Sequence, residues 1–253
     1  MKLKHLAVAA FVGLGLVGSA MAADSLAGMK ALAQSENGLT LSGDVHAQSS
    51  YQYRGMQFSD GNPSIGASIT ARHSSGLYGT IESDTVNLTP GASNLHQLQN
   101  QLTVGYDFRL PHDVTVGGGL TRNIFTGQNH INNLSFSEAF VGAEWNGLRA
   151  KISTVIESAD APVAGFQTGD TYGELGYTYH IGQFNLGGDV GYGLHNHADA
   201  GAKNGLSLAQ VRVGYTFNDH VDVGVTYQFA GNDAYGFTNT GTHKVFGKVD
   251  YKF

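Results

Sequence analysis

The sequence predicts an all-β protein: a closed antiparallel up-and-down transmembrane β-barrel of about 12 strands over residues 39–253. Three observations predict this fold. Apolar and polar residues alternate along most of the chain from Leu39, as in strands with one apolar and one polar face. Short turns and long loops alternate between these segments, as in a meander. The last nine residues, VFGKVDYKF, keep the alternation to Phe253, so the final strand must be paired along its length.

The first 22 residues predict a signal peptide. Two lysines precede an apolar stretch from Leu6 to Gly18, and small residues follow at Ala20 and Ala22. This arrangement is typical of a secretory signal, and the apolar stretch is too short to span a membrane. We expect cleavage near Ala22 and export to the outer membrane of a Gram-negative bacterium. Residues 23–38 are then expected to form a flexible periplasmic segment.

The composition excludes several classes of protein. The chain has 253 residues, with 14 Lys and Arg against 20 Asp and Glu, and no cysteine. It has no basic stripe, so a nucleic-acid partner is not expected. A disulfide framework is impossible. Beyond the signal peptide no run of 18 apolar residues occurs, which excludes a helical membrane span.

Twelve segments carry the alternation, and an even number is typical of bacterial outer-membrane barrels. In the first, Leu39, Val45, Tyr51 and Tyr53 share the apolar face. The segments are LTLSGDVHAQSSYQYR, PSIGASITARH, LYGTIESDT, LQNQLTVGYDFRL, VTVGGGLTRNI, SEAFVGAEW, LRAKISTVIE, TYGELGYTYHI, FNLGGDVGYGL, SLAQVRVGYTF, VDVGVTYQF and the C-terminal strand.

The connections support one continuous sheet. Trp145 and Leu148 flank Asn146-Gly147 and share a face, as two-residue hairpins require. Asn-Gly favours a type I′ turn, and the Gly182-Gln183 pair favours type II′. The short connections are SSG, PHD, NG, GQ and NDH, and the long ones are 54–62, 87–95, 126–133, 159–170, 195–206 and 230–243. Of the long loops, 159–170 and 230–243 are the candidates for folding inward.

The apolar face is expected to contact lipid, and the polar face to line a lumen. A soluble lipocalin-like barrel would have the opposite arrangement. Aromatic residues near both ends of the strands, such as Tyr51 and Tyr53 at one end and Trp145 at the other, form two belts typical of membrane interfaces. The predicted pore-lining residues are Arg54, Arg72, Glu82, Asp84, Asp107, Arg109, Glu138, Arg149, Lys151, Glu157, Glu174, Asp189 and Arg212.

The C-terminal strand is expected to close the barrel against the first strand. Val249, Tyr251 and Phe253 alternate at the end of the chain. This ending resembles the signal by which bacterial outer-membrane barrels are recognised for insertion, which implies the barrel-assembly machinery as a partner.

The stretch SSYQYRGMQFSDGNPSIGAS, followed by SGLYG, resembles the TorF porin family, also called Gcw_chp, a proteobacterial family of unknown function. TYGELGYTY resembles a later strand motif of that family. The residues that carry the resemblance are Tyr53, Arg54, Gly55, Ser59, Asp60, Pro63, Ser75, Gly76 and Tyr78. Gly79 and Ile81 depart from the family pattern, which has Trp where Ile81 stands. The resemblance implies an outer-membrane barrel that acts as a diffusion channel, with no established substrate.

The expected function is a porin-like channel for passive diffusion of small hydrophilic solutes or ions. Outer-membrane lipid is expected around the barrel, and no cofactor is expected. A closed structural or surface-interaction barrel is the alternative, and a lipid-modifying enzyme is the weakest one. The sequence does not predict the oligomeric state. Arg54 and Asp60 are expected to pair and fix the first loop, in preference to screening solutes.

No catalytic or metal site is predicted. His195, His197 and Asp199 have a spacing that could hold a metal, but two loop histidines without further ligands are usually solvated. Ser83 is expected opposite Ala67 and several residues from His73, which is too far for a catalytic triad.

Overall fold

The computed structural model describes residues 38–88, 97–128, 131–159, 166–196, 203–230 and 243–253. The predicted signal peptide and most of the following segment lie outside these residues. Among the described residues, no helix has the length and apolar character needed to cross a membrane. The regular structure is strands, with short 3-10 turns at Pro111–Asp113 and Ile131–Leu134.

Twelve strands form one closed antiparallel barrel, and two short strands form a separate hairpin. The predicted fold class is therefore confirmed. The strands are β1 (Leu39–Gln48), β2 (Gln52–Tyr53), β3 (Met56–Gln57), β4 (Ser64–His73), β5 (Leu77–Val86), β6 (Gln97–Arg109), β7 (Thr115–Gly127), β8 (Phe136–Trp145), β9 (Leu148–Ser158), β10 (Thr171–Ile181), β11 (Phe184–Leu194), β12 (Gly205–Thr216), β13 (Val221–Ala230) and β14 (His243–Lys252).

The barrel closes where β14 meets β1. Ala47 lies opposite Val249 in this pairing. Gly43 and Phe253 exchange two backbone hydrogen bonds, each with a nitrogen–oxygen distance of 2.9 Å. Closure satisfies backbone groups that an open sheet would leave unpaired, and it confirms the predicted pairing of the last strand with the first.

The tight turns have the predicted geometry. Trp145 pairs with Leu148 around the turn between β8 and β9. Asn146 and Gly147 have φ values of 47° and 81°, as a type I′ turn requires. The five tight connections all lie at one end of the barrel, which we call the short-turn rim. The opposite end, where the long connections lie, is the long-loop rim.

The two faces of the sheet are as predicted. Outward apolar side chains such as Val104 and Val211 are 62% and 59% exposed, while inward polar side chains such as Gln99 and Asn123 are fully buried. Outward aromatic residues lie near both rims. Those near the short-turn rim include Tyr106, Phe108, Trp145, Tyr177, Tyr179, Phe217 and Tyr251, and those near the long-loop rim include Tyr192, Tyr227 and Phe229.

Candidate functional site

Residues 49–63, between β1 and β4, fold into the lumen, and we call them the inserted segment. Within it β2 and β3 form a hairpin whose turn residues, Arg54 and Gly55, have φ values of 53° and 88°. This is a second type I′ turn. The placement of Tyr51 and Tyr53 in an outer aromatic belt was wrong. Both side chains are buried inside the barrel, because β1 ends at Gln48 and the chain then turns inward.

A third type I′ turn shapes the other half of the inserted segment. Asp60 and Gly61 have φ values of 50° and 76°, and the Asn62 amide donates to the Ser59 carbonyl at 2.9 Å. The Ser59 hydroxyl accepts from the Tyr51 amide at 2.9 Å and donates to the Asn62 carbonyl at 2.7 Å. Ser59 and Asp60, two of the motif residues, thus fix the fold of this segment, and Pro63 leads from it into β4.

The inserted segment packs an apolar cluster across the lumen near the long-loop rim. Phe58 contacts Tyr53 with ring centroids 5.2 Å apart, and Phe166 stacks on Phe136 at 4.5 Å. Phe166 comes from 159–170, one of the two candidate loops, whereas the inserted segment itself was not among the candidates. Most of the other candidate, 230–243, lies outside the described residues. The cluster consists of Tyr51, Tyr53, Met56, Phe58, Val86, Phe125, Ile131, Phe136, Val155, Phe166 and Tyr172.

Arg54 anchors the hairpin to the opposite wall. The sequence suggested Asp60 as its partner, whereas the structure places Glu138 of β8 at 2.7 Å from its guanidinium. The same nitrogen donates to Ser153 of β9 at 3.0 Å, and the guanidinium lies 4.6 Å from the ring centroid of Tyr172. The Arg54 and Glu138 side chains are only 9% and 5% exposed. A charge pair this buried is strongly coupled, because either charge alone would be poorly solvated.

Further hydrogen bonds hold the inserted segment to other strands. The Tyr51 hydroxyl donates to Gln99 of β6 at 3.1 Å, and burial raises the pKa of this phenol well above its ordinary value. Lys244 of β14 donates to Gln57 at 2.7 Å. The Gln228 amide of β13 donates to the Gly55 carbonyl at 3.3 Å. The segment is therefore fixed around the wall and does not hang free.

Ion pairs run along the lumen wall from β9 to β12. Arg149 contacts Asp189 with a nitrogen–oxygen distance of 2.9 Å, and Arg212 binds the other oxygen of the same carboxylate. The Gln210 amide also donates to Asp189 at 2.9 Å. All four side chains are buried, so this carboxylate is fully neutralised within the lumen.

The second half of the family motif lies at the short-turn rim. Gly76 has a φ of 104°, and a Cβ built there would lie 2.0 Å from the Asp107 carbonyl, so only glycine fits this turn. Tyr78 stacks under the guanidinium of Arg72, 4.4 Å from the ring centroid, and Arg72 pairs with Asp107 at 2.8 Å. Ser75 is exposed in the turn.

The structure places most predicted pore-lining residues on the lumen wall. Lys151 and Glu174 are half-buried and lie opposite each other on β9 and β10. Arg109 is exposed at the short-turn rim. Arg54 lies on the inserted segment. The buried residues on the wall are Arg72, Glu82, Asp84, Asp107, Glu138, Arg149, Asp189 and Arg212.

Glu157 does not line the lumen, so that prediction was wrong. The register between β8 and β9 shifts at Ser137, which pairs with Glu157 while Glu138 pairs with Val155. The extra residue in β9 shifts the alternation by one position. Glu157 is therefore on the outer wall, where it is 65% exposed and pairs with Arg122 at 2.8 Å.

Several buried lumen atoms lack a hydrogen-bond partner among the described residues. They include oxygens of Glu138, Glu144, Gln210 and Gln228, and the amide nitrogen of Gln101. Buried polar groups in proteins are almost always hydrogen-bonded to protein or water. These atoms are exceptions to that rule among the described residues, and they lie on side chains of the inner wall.

The sequence singled out two further groups of residues, Ser83 with His73 and His195 with His197 and Asp199. Ser83 lies opposite Ala67, as predicted, and donates to the Asn100 side chain at 2.9 Å on the outer wall. His73 contacts the Ser75 hydroxyl at 2.9 Å in the short turn. His195 lies near Asp170, at 3.6 Å, whereas His197 and Asp199 lie outside the described residues.

Comparisons agree with the fold. The family described as "Bacterial protein of unknown function (Gcw_chp)" matches residues 32–253. The KdgM porin superposes with a TM-score of 0.51 at 9% identity, over 84% of this chain and 99% of that one. The NanC porin gives 0.51 at 12% identity, over 84% and 98% of the two chains.

An enzyme shares the same architecture. The Salmonella typhi outer membrane phospholipase (OMPLA) dimer with bound calcium gives a TM-score of 0.51 at 13% identity, over 87% of this chain and 94% of that one. At such identities the likeness concerns the fold alone. No curated protein sequence matches the chain significantly.

Proposed function

Since the chain belongs to the Gcw_chp family and its barrel has the fold of outer-membrane porins, we propose that it is an outer-membrane channel for passive diffusion of small hydrophilic solutes or ions. The exposed apolar wall with aromatic residues near both rims supports a location in the bilayer. The long-loop rim would face outside and the short-turn rim the periplasm.

One observation carries this proposal: the inner wall is lined by polar and charged side chains from one rim to the other. Glu138 lies near the long-loop rim and Glu144 near the short-turn rim, and both belong to the inner wall. A barrel built only as a support would fill its interior with paired or apolar groups. Polar side chains along the whole wall instead favour a path for hydrophilic solutes.

The inserted segment is the proposed constriction. It occupies the long-loop half of the lumen and is tied to β6, β8, β13 and β14. A solute must then pass between this segment and the wall. The motif residues Tyr53, Arg54 and Gly55 belong to this segment, so the family motif would conserve its folding and docking more than a contact with solute.

Single-channel conductance of the refolded mature protein in a planar bilayer tests the proposal. We expect stable current steps, and a salt gradient will give the ion selectivity. A variant that joins Ser50 directly to Asp60 removes the hairpin and should give larger steps. Silence from the folded wild-type protein would contradict a channel.

A closed surface-interaction barrel is the second candidate, and the aromatic cluster favours it. Phe125 and Phe136 are fully buried, so part of the lumen is as tightly packed as a protein core. This candidate predicts silence from the wild-type protein but current from the variant that lacks the hairpin. The two candidates therefore make different predictions only for the current through the wild-type protein.

We propose no catalytic activity. The Ser83 hydroxyl bonds an amide oxygen of Asn100, and in the described part of the chain it has no histidine among its hydrogen-bond partners. Such a serine lacks the general base that a nucleophile needs. Absence of lipid hydrolysis by the folded protein in phospholipid vesicles is the expected result.

A further inference from the structure

A cluster of titratable side chains lies on the lumen wall beside the inserted segment. The register places Asp250 of β14, His46 of β1, Gly66 of β4 and Asp84 of β5 opposite one another in one row. The next residue of that row is Gln99, which binds Tyr51. The strands thus bring together groups that are far apart in the sequence.

His46 is held between two carboxylates. Its Nδ1 lies 2.7 Å from Asp44 Oδ2, and its Nε2 lies 2.8 Å from Asp84 Oδ1. Its side chain and that of Asp84 are 2% and 0% exposed. Ser68 donates a further hydrogen bond to the other oxygen of Asp44. The imidazole therefore has a fixed orientation, with Nε2 directed at Asp84.

Gly66 makes this contact possible. A Cβ built at Gly66 would lie 2.4 Å from both His46 Nε2 and Asp84 Oδ1. Any side chain on β4 at this position would separate the two groups. The space that a Cβ would fill is therefore part of the site.

The cluster has acceptor groups that the protein leaves open. Asp84 Oδ2 is buried and has no hydrogen-bond partner among the described residues. The Glu82 side chain is 7% exposed. One ligand atom each from His46, Glu82 and Asp84 lies within 4.8 Å of the others. Lys248, the nearby cation, contacts Asp250 at 2.7 Å.

We propose that His46, Glu82 and Asp84 bind a divalent transition-metal ion such as Zn²⁺ in the lumen. An imidazole nitrogen with carboxylate oxygens is a donor set that suits this class of ion. Asp44 would accept the Nδ1 proton and orient the ring, as carboxylates commonly do for metal-bound histidines. The proton on Nε2 is released to water when the metal takes its place.

Charge favours a cation here. The titratable groups that face His46 are Asp44, Glu82, Asp84, Lys248, Asp250 and the Tyr51 phenol. Four carboxyl groups, those of Asp44, Glu82, Asp84 and Asp250, face two basic groups, Lys248 and His46, so acidic groups are in excess in a confined space. A divalent ion reduces this repulsion.

Calorimetric titration of the refolded, untagged mature protein with ZnCl₂ tests the proposal. We expect one Zn²⁺ per barrel at this site, and at least a tenfold weaker affinity in Glu82→Gln and His46→Ala. The matched control is Glu144→Gln, which removes another buried lumen carboxylate and should leave the affinity unchanged.

Heat-modifiable mobility on gels confirms that each variant is folded. A His195→Ala variant, which removes the loop histidine, should bind as the wild type does. The proposal is overturned if folded wild-type protein takes up no Zn²⁺ at millimolar concentration. It is also overturned if folded Glu82→Gln and His46→Ala proteins bind as the wild type does. Binding is measured without ion flow, so this outcome is independent of the channel proposal.

Discussion

Removing the Arg54 guanidinium should release the inserted segment from the wall. Arg54→Ala leaves Glu138 as a carboxylate that is 5% exposed and no longer contacts the guanidinium. Breaking one side of a buried ion pair costs about 3–5 kcal/mol. The contact with the Tyr172 ring is lost as well. A shift of about 3 kcal/mol raises the population of the undocked segment by about 100-fold.

Cysteine labelling can measure this population. The chain has no cysteine, and Met56 at the hairpin is 1% exposed. A Met56→Cys protein should react slowly with a bulky maleimide, and the same protein with Arg54→Ala should react about 100-fold faster, because reaction requires undocking.

A control separates this anchor from a general effect of losing an arginine. Arg122 also pairs with a carboxylate, Glu157, at 2.8 Å, but on the outer wall and with both side chains exposed. Arg122→Ala should leave the labelling rate of the hairpin cysteine unchanged. An unchanged rate in Arg54→Ala, or an equal rise in Arg122→Ala, would refute the anchoring role of Arg54.

Three further outcomes are expected. Val211 is 59% exposed on the outer wall, and Val211→Arg should lower the free energy of urea unfolding in vesicles by about 2–4 kcal/mol. Phe217→Arg, at the rim, should lower it by no more than about 1 kcal/mol. Gly182→Ala should lower the free energy of unfolding by about 1–2 kcal/mol, because Gly182 has a φ of 61°. Gly76→Ala should lower it further, because its Cβ would also lie 2.0 Å from a backbone carbonyl oxygen. Equal losses in the two variants would contradict this clash. Deleting Phe253 should lower the amount of barrel in the outer membrane of cells more than its refolding yield in detergent, measured by heat-modifiable mobility, and equal losses would argue against a terminal signal.

The strands and turns could be predicted because each obeys a local rule. A half-exposed strand needs alternation, and Asn146-Gly147 permits the positive φ values of a type I′ turn. These rules act within a few residues. These local rules were enough to predict the number of strands, which face of the sheet is apolar, and the pairing of the last strand with the first.

The inserted segment could not be found by the same rules. Alternation runs on through Tyr51 and Tyr53, so they looked like a continuation of the first strand, although the backbone turns inward after Gln48. A usable signal was present: Asp60-Gly61 is a typical type I′ pair, and a Gly follows Arg54 as well. Two such turns within a short stretch indicate a folded hairpin instead of a plain loop.

Long-range partners were also beyond local rules. The Arg54–Glu138 contact depends on how far the hairpin reaches across the lumen, and the His46–Asp84 contact depends on the register of three strands. Glu157 was predicted on the inner face, but one extra residue in β9 reverses the alternation and places it on the outer face. Such a bulge leaves no clear trace in the residue pattern.

The junction of β1 and β14 has a consequence for how the wall is completed. Ala47 and Val249 meet there, so this contact joins segments about 200 residues apart, which makes it slow to form. Until it forms, both strands present open edges that can pair with other chains, and such edges are not tolerated in lipid. The barrel therefore cannot enter a bilayer one bare hairpin at a time: its open edges have to be paired or covered before they reach lipid.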